Sequence, residues 1–137
     1  MQPIISVITL AVDDLVQATK FYHQGLGLPT KGVVGEPEQD TQVAFFKLNN
    51  NLKLALWPRE SLQRQTSCAV TGHGVLISHN VVSREAAEQL LRKAAAAGAV
   101  VNKAAHEQPW GCFGGYFTDP EGYLWEVTFN PDLVSKD

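Results

Sequence analysis

Apolar positions change period several times along the chain, and each change marks an element. Ile4 to Val12 contains the β-branched apolar run ISVITLAV, which predicts a buried strand. One of Asp13 and Asp14 then caps a helix. Leu15, Ala18, Thr19 and Tyr22 fall at helical spacing with Phe21 flanking the stripe, so a helix is expected over Leu15 to Gln24. Gly25 and Gly27 stop it. Pro29 to Gln39, with its prolines, glycines and charges, reads as loop. QVAFFKL (Gln42 to Leu48) and LKLALW (Leu52 to Trp57) predict two strands. The Asn49-Asn50-Asn51 turn joins them, because Asn tolerates left-handed backbone angles.

Pro58 to Gly72 is polar and irregular, with a short helix at Arg59 to Arg64, and residues 59–73 are the candidate linker between halves. VLISHN (Val75 to Asn80) begins strand-like again. Ser83 caps a clear helix over Arg84 to Ala97, and Gly98 ends it. Val100 and Val101 start a short extended segment, and His106 to Pro109 reads as loop. Gly111 to Thr118 and Tyr123 to Phe129 form a last hairpin around Asp119-Pro120-Glu121-Gly122. The chain thus repeats itself, with one copy over residues 4–58 and another over 74–131. Laying LKLALW on YLWEVT matches Leu52 to Tyr123 and Ala55 to Glu126. The fold class expected is α+β: two βαβββ modules in a single domain over 1–137, forming a curled mixed sheet with a cleft.

Composition narrows the function classes. The 137 residues are 45% hydrophobic and 18% charged, which describes a globular chain. The formal net charge is −3 and the basic residues are scattered singly, so no nucleic-acid footprint is present. No apolar run approaches the ~20 residues needed to span a bilayer, so no membrane partner is expected. The N-terminus lacks the features of a signal peptide. Cys68 and Cys112 form no CxxC pair and read as reduced thiols of a cytoplasmic protein.

Two motifs carry a resemblance. DDL-x5-FY-x2-GLGL at Asp13 to Leu28 and DPEGYLWEV at Asp119 to Val127 resemble the vicinal oxygen chelate superfamily. That family includes glyoxalase I, extradiol dioxygenases, fosfomycin-resistance enzymes and bleomycin-binding proteins. The resemblance covers nearly the whole chain. It implies paired βαβββ modules with a ligand cleft, and a homodimer. It also implies metal ligands at four inner-face positions, which fall here at Val7, Ala55, Gly74 and Glu126. Only Glu126 has a ligand atom in its side chain, and a catalytic metal needs three or more donors from the protein. A register slip of one residue would turn His73 inward in place of Gly74, giving two donors. The expectation is therefore no metal site and no cofactor, with a divalent metal left open as the alternative.

The remaining candidates follow from strand parity and residue chemistry. Alternation puts Leu124, Glu126 and Thr128 on one face and Trp125, Val127 and Phe129 on the core face. Glu126 is then solvated, paired with a cation such as Lys53, or protonated, and an acid/base role in the cleft makes it the candidate catalytic residue. His79 is a candidate proton carrier, with Asn80 beside it. Trp57, Trp110, Phe113 and Tyr116 are candidate ligand-stacking rings, while Phe21 and Tyr22 read as core. His23 and His106 read as surface residues. Two functions stay open. One is metal-independent binding of a small planar or hydrophobic molecule, in the manner of bleomycin resistance, with Glu126 and Lys53 as polar anchors and Asn80 or His79 as helpers. The other is a glyoxalase-like lyase, isomerase or dioxygenase.

Overall fold

The computed structural model describes residues 1–133, the side chains of Trp110 and Leu133 excepted. The chain divides into two compact units, Met1–Gly72 and His73–Asp137. In the first, β1 (Val7–Val12) leads into α1 (Leu15–Lys20), followed by β2 (Thr30–Val34), β3 (Val43–Lys47), β4 (Lys53–Pro58) and α2 (Arg59–Thr66). In the second, β5 (Leu76–Val81) leads into α3 (Arg84–Ala96), then β6 (Val100–Glu107), β7 (Phe113–Thr118) and β8 (Leu124–Phe129). Both sheets are mixed and share one topology, β1-β4-β3-β2 and β5-β8-β7-β6. The βαβββ repeat expected from the sequence is therefore present twice.

Side-chain parity organises the first unit. Leu10, Val12, Ala44, Phe46, Leu54 and Leu56 share one face of the sheet and are fully buried. Tyr22 packs onto that face, its ring 5.9 Å from Phe46. Asp14 opens α1 by accepting a hydrogen bond from the Gln17 N–H at 3.0 Å. The helix then widens into a π-turn over Phe21–Gly25, which buries both Phe21 and Tyr22 as core. Burying each large ring contributes about 1.5–3 kcal/mol.

One stretch differs from the sequence reading here. Pro29 to Gln39 is not all loop, because it contains β2. Pairing holds this strand more than its own pattern does. Thr30 donates its hydroxyl to the Phe45 carbonyl at 2.6 Å, and a bulge at Gly32 (φ 88°) lets Val33 and Val34 pair with Ala44 and Val43. The short helix expected at Arg59 to Arg64 is present as α2 and runs on to Thr66. Arg64 on α2 pairs with Asp40 at 2.7 Å, and the Arg59 guanidinium donates to the Ala11 and Val70 carbonyls. Residues 59–66 thus belong to the first unit.

In the second unit α3 begins where Ser83 accepts from the Ala86 N–H at 3.0 Å and ends at Gly98 (φ 114°). Ala87, Leu91 and Ala94 are buried along α3. Trp125, Val127 and Phe117 are the buried face of the sheet, with Phe117 and Trp125 stacked at 6.1 Å. Gly114 and Gly115 are packing residues rather than flexible ones. A Cβ on Gly115 would lie 2.4 Å from the Lys103 carbonyl oxygen and 2.9 Å from Leu91. β6 runs well past Val101 and includes His106 and Glu107, which the sequence placed in a loop. His106 is half-buried there. Asp119 closes the last hairpin by accepting from the N–H groups of Glu121 and Tyr123 at 2.9 and 2.8 Å. No helix among the described residues is long and apolar enough to cross a membrane.

Candidate functional site

Glu126 sits in the middle of β8, and the register of the sheet decides what it meets. β5 runs parallel to β8 and places Ser78 opposite Glu126; β7 runs antiparallel and places Tyr116 opposite it. Both neighbours carry hydroxyls on the same face. Ser78 donates to Oε1 at 2.8 Å and Tyr116 donates to Oε2 at 3.0 Å. Behind Tyr116 the chain of donors continues. Gln108 Nε2 donates to the Tyr116 hydroxyl at 3.4 Å, and Thr128 donates to Gln108 Oε1 at 2.8 Å. Every step of this chain points toward the carboxylate. It is neither bare in water nor buried without partners, so it avoids the several kcal/mol that an unpaired buried charge costs.

These groups line a pocket of about 460 Å³, together with Asn80, Cys112 and the turn at Pro109. Each carboxylate oxygen accepts one bond from the protein and keeps a second lone-pair direction for a ligand. The hydrogen bond to Glu126, helped by removal of the ring from water, raises the Tyr116 pKa above the ordinary tyrosine value. Tyr116 therefore stays a donor at neutral pH. The site can hold a ligand donor or cation, and a carboxylate so placed can also accept a proton.

The structure sorts the sequence candidates by face. Asn80, Tyr116 and Glu126 come together. His79 and Phe113 do not, because His79 pairs with Val127 and Phe113 with Phe129, on the opposite face of the sheet. The Phe113 ring instead carries the Arg84 guanidinium at 4.8 Å. His79 keeps solvent access, yet the protein packed around its ring disfavours the imidazolium and lowers its pKa. Trp57 lies in the first unit, where its indole N–H donates to the Asp40 carbonyl at 3.3 Å. Lys53, also in the first unit, lies over the Phe45 ring at 5.5 Å. The Trp110 side chain lies outside the described residues. Ser78, Gln108 and Thr128 complete the site. Thr128 shares Glu126's parity, but Ser78 emerges only from the β5–β8 register.

The register also sets what stands beside two of the positions that the resemblance implies as metal ligands. Ser78 stands opposite Glu126 and Thr9 opposite Ala55, while Val7 stands opposite Lys53. Ser78 and Thr9 offer hydroxyls, which are poor ligands for a transition metal. His73 packs edge-on against Tyr123, its ring centroid 4.9 Å away, before β5 begins. Among the described residues no three His, Cys, Asp or Glu side chains gather where one ion could bind them. The residues present do not fit the metal site that the resemblance implies.

Comparison with known proteins agrees with this fold. A profile for the Glyoxalase/Bleomycin resistance protein/Dioxygenase superfamily matches residues 4–127. The structure is similar to a glyoxalase-related enzyme from Fulvimarina pelagi, at 32% identity over 94% of this chain and 89% of that one, with a TM-score of 0.82. It is similar in fold to hypothetical protein SA1046 from S. aureus, at 21% identity over 95% of each chain and a TM-score of 0.76. The same holds for a lactoylglutathione lyase from Agrobacterium tumefaciens, at 23% identity over 96% of each chain and a TM-score of 0.71. No curated protein matches the chain.

Proposed function

Because the chain belongs to the Glyoxalase/Bleomycin resistance protein/Dioxygenase superfamily, we propose that it uses that scaffold to bind a small planar molecule without the family's metal, anchoring it on Glu126. The observation that carries this reading is the Ser78–Glu126–Tyr116 arrangement at the wall of a pocket, in which two hydroxyls fix both carboxylate oxygens. A preorganised carboxylate favours a ligand with donors or positive charge, and a charge-assisted bond is among the stronger ones. Asn80 and Thr128 supply further polar contacts.

Benzamidine, a flat cation, is a suitable probe, with benzamide as the uncharged control. Calorimetric titration should show benzamidine binding the wild type more tightly than benzamide. Glu126→Gln should weaken it by about 1.5–3 kcal/mol, roughly ten- to a hundredfold in Kd. Equal binding to wild type and Glu126→Gln would remove Glu126 from the site.

The enzymatic alternative draws support from the similarity to the Fulvimarina pelagi glyoxalase-related enzyme. In that reading Glu126 takes a proton from a bound substrate, and Glu126→Gln loses turnover while binding persists. A homodimer is the proposed assembly. β1 and β5 are sheet edges, and Val7, Val75 and Leu76 at or beside them are exposed apolar residues. Such an edge offers unpaired backbone groups to a second chain. The free thiols of Cys68 and Cys112 support a reducing, cytoplasmic location.

A further inference from the structure

We infer that the first unit carries an anion site, built from Lys31, Lys47, Lys53 and Phe45, that takes a small aromatic carboxylate. The inference goes beyond the reading of Glu126 and does not rest on it, since every residue involved lies in Met1–Gly72.

The β3–β4 register sets Lys47 directly opposite Lys53, so both side chains leave the same face of the sheet. Like charges directly opposite each other in a sheet are destabilising. Lys31, from β2, lines the same pocket of about 850 Å³. No carboxylate lines that pocket. Among the described residues the ion pairs run through Arg59, Arg64, Arg84 and Arg92, and none of the three lysines has a carboxylate within salt-bridge distance. The chain as a whole is acidic, with a net charge of −3. Three uncompensated cations around one hollow are therefore a local inversion of sign that an anion would complement.

The floor of the hollow narrows the choice of anion. Phe45 is 40% exposed and Val34 47% exposed, and both line the pocket. The Lys53 ammonium lies 5.5 Å from the Phe45 ring centroid, so a group that meets the cation also meets the ring. A flat apolar ligand body covers Phe45 and Val34, while its carboxylate bridges Lys47 and Lys53 and turns their repulsion into attraction. Inorganic phosphate would satisfy the charges and leave the rings and branches wet. The pocket's volume of about 850 Å³ falls within the usual range for small-molecule sites. A nucleic-acid strand would need a basic stripe, and the lysines form a single cluster.

The test is calorimetric titration of the full chain with 2-naphthoate, 2-naphthamide and inorganic phosphate, at low and high ionic strength. The inference predicts that naphthoate binds at least about tenfold more tightly than either control, and that salt weakens it. Lys47→Gln, Lys53→Gln and Phe45→Ala should each weaken naphthoate by at least about fivefold. Lys47→Glu should abolish binding while leaving the melting temperature unchanged or raised, which separates a lost site from a lost fold. Glu126→Gln should bind naphthoate as the wild type does, whatever becomes of benzamidine. Naphthamide binding as tightly as naphthoate would reduce the feature to an apolar patch and overturn the inference. So would phosphate matching naphthoate, naphthoate failing to bind at millimolar concentration, or no response to the lysine substitutions.

Discussion

Glu126 is fixed by two hydroxyl donors, and those donors make separate predictions. Tyr116→Phe removes a partly exposed hydrogen bond and should cost at most about 1 kcal/mol at neutral pH. Its clearer signature is alkaline. The folded state raises the Tyr116 pKa, chiefly through the bond to Glu126, so folding favours the protonated phenol. That contribution is complete below about pH 10 and disappears as pH rises through the folded value. The melting temperature of the wild type should therefore fall more steeply above about pH 10 than that of Tyr116→Phe, and equal slopes would contradict the hydrogen bond. His79 works in the opposite sense. Packing lowers its pKa, so the unfolded chain takes up a proton first as pH falls below about 6.5, and stability is lost over that window. His79→Asn should flatten this acid limb in a series of thermal melts, and an unchanged limb would show that the ring is not desolvated.

At the scale of elements, close approach rather than pattern shapes β7. Gly115 leaves no room for a Cβ between β6 and α3, so Gly115→Ala should destabilise by about 1–3 kcal/mol in denaturant unfolding. A neutral substitution would mean that β6 yields freely. The same scale shows which elements were legible in the sequence. β3 and β4 carry apolar runs bounded by an Asn turn, and α1 and α3 announce themselves through Asp14 and Ser83. β2 does not, and β6 announces only its start at Val100 and Val101, since TKGVV and VVNKAAHE have no regular alternation and are strands because a partner pairs with them. The candidate site divides in the same way. Alternation along β8 alone puts Glu126 and Thr128 on one face. Ser78, and the exclusion of His79 and Phe113, depend on how β5 and β7 register against β8. Nothing local in those strands states that register, and an offset of one residue reverses every face.

At the scale of the whole molecule, the repeated βαβββ unit and the family are evident from the sequence motifs, whereas the chemistry is set by a few side chains on that scaffold. Where the resemblance implies metal ligands, this chain sets Thr9 beside Ala55 and Ser78 beside Glu126. The proposed homodimer predicts a mass of two chains by light scattering at micromolar concentration, and a single-chain mass would contradict it. The measurement that bears most directly on a metal-independent carboxylate site is the metal content of the purified chain after incubation with Zn, Ni, Mn and Fe(II) salts, followed by removal of free ion. The expected result is far less than one ion per chain for every metal, with benzamidine affinity unchanged by the treatment. One tightly held ion per chain, lost in Glu126→Gln, would contradict the reading and make Glu126 a metal ligand.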